Sequence, residues 1–338
     1  MFFRGRERKA RHGKNQAVSE PHATEPILIV AGPTASGKSA LATALAREFD
    51  GVVINADSMQ VYRDLPVLTA QPDDAARAQA PHRLYSVIDP AVACSAGIWR
   101  AMAVDQIAAA HRGGRQAILV GGTGLYLRAL LEGLAPVPKV PQAVRQAARA
   151  ARQSLGATAF HRELAAIDPD GAGKLNPNDT QRVVRAYEVA TATGRTLGDW
   201  QRDQGKGAQF SARAVVLLPP RAELYAACDA RFLDMMRRGA AEEVEALLRR
   251  NLNSDLPAMR ALGVKPLRAW LRGEIGRKGA IAAAQQATRN YAKRQMTWFG
   301  RSAEGQGPGN LTVVKKFSES LLPEIFSFIR HSLLTLES

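Results

Sequence analysis

The chain has 338 residues, 46% of them hydrophobic and 23% charged, the composition of a folded protein with a large core and room for two lobes. No apolar run approaches the roughly 18 residues that cross a bilayer, and the two isolated cysteines, Cys94 and Cys228, indicate neither a disulfide framework nor a zinc site. The net charge of +15 favours a polyanionic partner over a neutral one.

The chain begins "MFFRGRERKARHGKNQ", six basic residues against one acid with no apolar run behind the charges. That is not a secretory signal, so residues 1–24 read as a basic, disordered arm. The quoted stretch accounts for +5, and the +10 that remains belongs to the rest of the chain. Two unpaired cysteines suit a reducing cytoplasm.

Next comes "ILIVAGPTASGKSAL". Ile27 to Ala31 reads as a buried parallel strand, Gly32 to Gly37 as a loop, and Lys38-Ser39 as the start of an alanine- and leucine-rich helix. This is Gly-x4-Gly-Lys-Ser in the strand–loop–helix setting that a phosphate-binding loop requires. Its glycines let backbone N–H groups and the positive end of the helix converge on phosphate oxygens. The candidate phosphate ligands are therefore Gly32, Pro33, Thr34, Ala35, Ser36, Gly37, Lys38 and Ser39. Lys38 adds a point charge, and Ser39 offers an oxygen to magnesium.

Three further apolar runs read as strands: "GVVIN" at 51–55, "LYSVI" at 84–88 and "QAILV" at 116–120, with a helix "GIWRAMAVDQIAAAHR" between the last two. Such alternation predicts a parallel sheet with helices on both faces and ligands at the carboxyl ends of its strands. Two of those ends carry polar clusters. "NADSMQVY" puts Asp57 just beyond its strand, where a carboxylate holds magnesium, acts as general base or caps a turn. "GGTGLY", Gly121 to Tyr126, lets backbone approach a ligand and offers the Thr123 hydroxyl. No second strand ends in an acid, since "AILV" runs into Gly121, and this weakens an ATP-hydrolysis reading.

Three prolines within Pro136–Pro141 end the alternation. From there to about Gln209 the pattern is helical, with Asn178 or Asp179 capping "TQRVVRAYEVATAT" and Gly194 ending it. "ARAVVLLPP" at 212–220 resumes the strands, helices follow to about Phe299, and "LTVV" at 311–314 is a candidate last strand before a terminal helix. The expected organisation is an α/β core of P-loop type over 25–135 and 210–300, a helical insertion over 136–209, and a linker with a C-terminal extension over 301–338.

Six stretches in this order, "GPTASGKS", "NADSMQVY", "GGTGLYLRALLEG", "DTQRVVRAYEV", "TG" with Trp200-Gln201, and "KRQMTWF" at 293–299, resemble the tRNA dimethylallyltransferases, also called tRNA isopentenyltransferases. The resemblance spans about 25–300. It implies a P-loop NTPase-like sheet flanked by helices, with an inserted all-helical domain that binds tRNA. It also implies that the loop cradles the diphosphate of dimethylallyl diphosphate, and that the acceptor is N6 of the adenine 3′ to the anticodon, in tRNAs reading codons that begin with U. Two distant cysteines cannot build the C-terminal zinc finger usual in eukaryotic relatives, which points to the bacterial type. A cytoplasmic monomer with Mg2+ is expected, with no membrane partner.

On this resemblance Asp57, Thr34, Lys38 and Arg221 are the catalytic candidates, with Arg231 as a further cation. The tRNA anticodon stem-loop is expected to meet Asp57, Ser58, Met59, Gln60, Thr123, Arg145, Gln181, Arg182, Val183, Val184, Arg185, Lys293, Arg294, Gln295 and Trp298. Arg289 and Lys293 share one helix face, and Tyr291, Arg294 and Trp298 another. One departure stands out: the family commonly has Arg-Ile where this chain has Ala227-Cys228. The rival readings are a nucleoside or small-molecule kinase, which shares loop, sheet and helical lid, and a non-catalytic RNA-binding module.

Overall fold

Six short strands meet in one sheet, and all its pairings are parallel. The structure, a computed structural model, describes residues 26–203, 210–304 and 310–334. The expected basic arm lies outside these residues, as do 305–309 of the glycine-rich linker. The elements up to the insertion are β1 (Ile27–Ala31), α1 (Lys38–Glu48), β2 (Gly51–Asn55), α2 (Asp74–Gln79), β3 (His82–Arg83), α3 (Ala96–Arg112), β4 (Gln116–Gly121) and α4 (Gly124–Glu132). The insertion holds α5 (Gln142–Ile167), α6 (Pro169–Gly173), α7 (Thr180–Thr193) and α8 (Leu197–Arg202). Then come β5 (Ala212–Leu217), α9 (Arg221–Arg237), α10 (Ala240–Arg249), α11 (Val264–Leu271), α12 (Arg277–Glu304), β6 (Asn310–Val313) and α13 (Leu322–Leu334).

The strand order is β3-β2-β4-β1-β5-β6. Every residue of β1 and β2 is buried, which is why these runs are continuously apolar rather than alternating. On one face Ile29, Ile54, Leu119 and Val216 pack against Trp99, Ile107 and Leu130 of α3 and α4, and against Phe299. On the other, Leu28, Val53, Ile118 and Val215 pack against Leu41 and Leu45 of α1 and Ile325 and Ile329 of α13. Ala31 pairs with Gly121 on one side and Val216 on the other, and Asn55 pairs with Val120. The chain therefore leaves β1, β2, β4 and β5 at one edge of the sheet. This is the P-loop NTPase-like arrangement.

The expected strand at 84–88 is a correction. Only His82–Arg83 pairs with β2, because Leu84 and Ser86 take left-handed backbone angles, φ 63 and 54, that no extended strand accommodates. The kink turns the Leu84 carbonyl toward Asn55 and buries Tyr85.

At the far edge β6 extends the sheet beside β5, with Val215 opposite Leu311. Residues 310–334 thus share the main core, and Phe326 of α13 meets Phe49 edge-on at 5.9 Å. The insertion has its own small core of Ala148, Phe160, Leu164, Ala172, Val183 and Ala186. Within it Asp179 caps α7 and Gly194 ends it in the left-handed conformation. Among the described residues no helix is long and apolar enough to cross a membrane.

Candidate active site

The loop after β1 is forced into shape by its glycines. A methyl group on Gly32, at φ 140, would lie 2.3 Å from the Leu217 carbonyl oxygen, so the loop presses against the end of β5. Ala35 at φ 63 and Gly37 at φ 96 then swing the chain into α1. Inside this turn Ser36 is 1% exposed, and its hydroxyl has no hydrogen-bond partner. An orphaned buried hydroxyl is costly unless a guest completes it. Lys38 Nζ donates to the Pro33 carbonyl. Burial first, and then Arg231, lower the Lys38 pKa to about 7, while the Asp57 carboxylate pulls the other way. A desolvated ammonium, an unpaired hydroxyl and the start of a helix together suit phosphate oxygens.

Asp57 is held from its own strand. Asn55, fully buried, accepts the Asp57 N–H at 2.8 Å and donates to the Asp57 and Leu84 carbonyls, each at 3.0 Å. The Asp57 Oδ1 accepts from Met59 N at 2.8 Å, so one carboxylate oxygen does cap a turn. The other has no hydrogen bond from any described residue. Around it stand Tyr85 and Tyr291, whose phenols are pushed above their usual range by burial and then by the Asp57 charge.

The third strand end closes on the second. A methyl on Gly121 would lie 2.2 Å from the Ala56 carbonyl oxygen. Just beyond, Thr123 Oγ1 accepts from Ser58 N at 3.0 Å and donates to Ser58 Oγ at 3.3 Å. Helix α12 lies across both loops. Gln295, 5% exposed, accepts from Thr34 N at 2.8 Å and donates to the Gly122 carbonyl at 2.7 Å. Beside them opens a cavity of about 1020 Å³, with Ile29, Ala214 and Val216 on its floor and Arg182, Lys293 and Arg294 at its rim.

The remaining candidates distribute as follows. Ser58 and Met59 are half-buried, and Gln60 spends its amide on the Thr69 and Ala70 carbonyls, each at 2.9 Å. Arg145, Gln181, Arg182, Lys293 and Arg294 are exposed. Arg182 reaches Asp179 at 3.3 Å, a surface pair of small worth, whereas Arg185 reaches the buried Glu188 at 3.7 Å. Trp298 is 37% exposed, and its indole backs onto Gly124, where a methyl would lie 2.0 Å from Nε1.

Several candidates are engaged within the fold. Val183 and Val184 are packed into the insertion core, because their helix turns its apolar side inward. Gln295 is buried with both ends of its amide engaged. Arg289 makes two contacts to Asp229, at 2.6 and 2.7 Å, and ties α12 to α9 instead of facing outward. Arg221 is exposed at the first position of α9. The cation that shares the surroundings of Asp57 and Lys38 is Arg231 on the same helix. Cys228, at the departure from the family pattern, is buried under the loop with Sγ 3.9 Å from the Thr34 carbonyl.

Sequence reasoning missed Asn55 and Tyr85. The signal for Asn55 was present: an amide inside a wholly apolar strand end needs partners. Tyr85 was hidden by the strand expected at 84–88. For magnesium, the described residues hold no group of three or more acidic, histidine or cysteine ligands. Ser39, on the first turn of α1, offers one hydroxyl toward a magnesium ion whose other ligands would come from substrate phosphates and water.

A family profile described as IPP transferase matches residues 60–302. The chain is 56% identical over 279 residues to a tRNA dimethylallyltransferase of Rhodospirillum centenum, covering 82% of this chain and 89% of the relative. It is 51% identical over 312 residues to one of Paramagnetospirillum magneticum, covering 92% and 98%. Among solved structures, a eukaryotic dimethylallyltransferase acting on tRNA superposes with a TM-score of 0.75 at 26% identity, covering 91% of this chain and 80% of that one. The tRNA isopentenylpyrophosphate transferase of Bacillus halodurans superposes at 0.66 with 29% identity, covering 93% and 98%. With a family match over most of its length and relatives above half identity, the chain belongs to the IPP transferase family.

Proposed function

We propose that this chain transfers the dimethylallyl group of dimethylallyl diphosphate to N6 of the adenine that follows the anticodon, in tRNAs reading codons that begin with U. The observation that carries the reading is the unpartnered, buried Ser36 hydroxyl in one turn with desolvated Lys38, a strand end away from Asp57. It is supported by relatives that are themselves named tRNA dimethylallyltransferases.

In the reaction the N6 lone pair forms a bond to the allylic carbon. The carbon–oxygen bond breaks, its electrons go to diphosphate, and N6 sheds a proton. The allylic carbon spreads positive charge, so the barrier lies largely in separating the anion. Backbone amides of 35–39, the Ser36 hydroxyl and Lys38 tighten as that charge grows, which is how they lower the barrier. Ser39 would help hold magnesium, which would supply charge neutralisation to the leaving diphosphate. Asp57 orients N6 and receives its proton. Thr34 and Thr123 border the two ligands, and Arg231 adds a cation that this reading prefers to Arg221.

The apolar floor of the large cavity suits an isoprenoid chain. The target base must leave a stacked loop, and Arg145, Gln181, Arg182, Arg185, Lys293 and Arg294 offer the grip on phosphate that this requires. The protein acts in this reading as a cytoplasmic monomer.

The test is incubation with unmodified tRNA, dimethylallyl diphosphate and magnesium, followed by nucleoside mass analysis. N6-dimethylallyladenosine is expected; adenosine left wholly unmodified would sink the proposal. The kinase reading is not favoured by any relative found, and selective tight binding of ATP over dimethylallyl diphosphate would revive it.

A further inference from the structure

We propose that Gln295 is a positioning residue for the phosphate loop, not a tRNA contact, a reading that rests on the transfer reaction above. The carboxamide sits between the loops that end β1 and β4. Its oxygen takes the Thr34 N–H at 2.8 Å, and its nitrogen gives to the Gly122 carbonyl at 2.7 Å. At 5% exposure the side chain offers little surface to a nucleic acid.

The site is built around this amide. A methyl group on Gly122 would lie 2.1 Å from Gln295 Nε2 and 3.1 Å from the Gly32 carbonyl oxygen. Only glycine at 122 therefore lets the carboxamide, the phosphate loop and the β4 loop come together. The helix that delivers Gln295 is itself fixed: Arg289 on α12 is paired with Asp229 on α9. The Gln295 oxygen arrives at Thr34 from a braced rod.

The consequence concerns where the loop amides point. Thr34 N–H is withdrawn from ligand duty, and the chain just after it turns through the left-handed Ala35. With Thr34 pinned, the amides that follow are held toward the ligand before it arrives, so binding costs no ordering of the loop. Without the pin, the part-buried Thr34 N–H and the buried Gly122 carbonyl lose their partners and the loop relaxes to satisfy them. Gln295 thereby sets affinity for the prenyl diphosphate from a helix whose exposed face carries Lys293 and Arg294.

The test is Gln295→Met, which keeps length and apolar stem and removes both hydrogen bonds. The full-length protein is assayed for kcat and KM with each substrate, and by titration with dimethylallyl diphosphate and separately with tRNA. The expected result is a rise of about 10- to 100-fold in the dissociation constant and KM for dimethylallyl diphosphate, with the tRNA dissociation constant within about threefold of wild type. Weakened tRNA binding with unchanged prenyl diphosphate affinity overturns the proposal, as does no change in either. Gly122→Ala displaces the same carboxamide from the other side and should give the same split. The double variant should be far less than additive, and full additivity would count against a shared clamp. Should Gln295→Met fail to fold, Gly122→Ala decides by the same two titrations. A wild-type protein that binds dimethylallyl diphosphate but modifies no tRNA sinks the reaction and leaves the Gln295 titration standing.

Discussion

Asn55 closes on Asp57 from both sides, accepting its N–H at 2.8 Å and donating to its carbonyl at 3.0 Å. A buried amide whose oxygen and nitrogen are both engaged makes the carboxylate's position a property of the strand end. Replacing it with Leu leaves the Asp57 and Leu84 groups unpartnered. Asn55→Leu should cost about 3 kcal/mol of stability and lower kcat more than it raises the KM for tRNA. Urea unfolding alongside single-turnover transfer measures both; unchanged transfer in a folded variant would refute the positioning role.

Asp57 itself should separate chemistry from binding. Asp57→Ala is expected to slow transfer by about 10²- to 10⁴-fold while the tRNA dissociation constant changes little. Equal loss of both would reduce Asp57 to the turn cap that its Oδ1 already makes with Met59.

Lys38 gives a pH prediction with a definite sign. Its folded pKa, about 7, is depressed from 10.5 by burial. Between these values the unfolded chain holds the proton and the folded one does not, so this group's contribution to stability rises with pH across that window. Below it the full penalty of burying the charge is present. An anion in the loop raises the Lys38 pKa, so binding dimethylallyl diphosphate near pH 8 should take up a proton. Calorimetry in two buffers of different ionisation heat reads that proton, and Lys38→Met should abolish the uptake. Identical uptake in wild type and variant would assign it elsewhere.

Phe317 reaches the loop from the far end of the chain. A methyl on Gly37 would lie 2.7 Å from its Cβ, so the segment between β6 and α13 backs the last turn before α1. Phe317→Ala should cost about 1–2 kcal/mol, less than a fully enclosed phenylalanine, and weaken dimethylallyl diphosphate binding. Affinity for tRNA should not move. Thermal unfolding and the two titrations check it; a loss confined to tRNA would contradict the contact's role.

Arg182 bridges insertion and cavity rim, and its pairing with Asp179 is exposed. As a phosphate contact it should contribute about one unit to the slope of log affinity against log salt. Arg182→Ala is expected to flatten the tRNA slope by about that amount and leave dimethylallyl diphosphate binding unchanged. An unaltered slope would remove Arg182 from the interface.

Local sequence determined a great deal here. Continuous apolar runs announced buried parallel strands, Gly-x4-Gly-Lys-Ser announced a tight loop between strand and helix, and Asn178 or Asp179 with Gly194 announced the ends of α7, where Asp179 is the cap, because each depends on neighbours a few residues away. Tertiary structure alone decided which partners the buried polar residues meet. Gln295 and Thr34, or Asp229 and Arg289, are far apart in sequence, and nothing in local spacing says whether an amide or a guanidinium ends on RNA or on another strand's loop. The strand expected at 84–88 failed for the same reason: Leu84 is held in a left-handed turn by a bond to Asn55, a partner that only the folded sheet supplies. Periodicity reports which side of an element is apolar, whereas the destination of a buried polar group is set by whatever unpaired donor or acceptor the fold brings within about 3 Å.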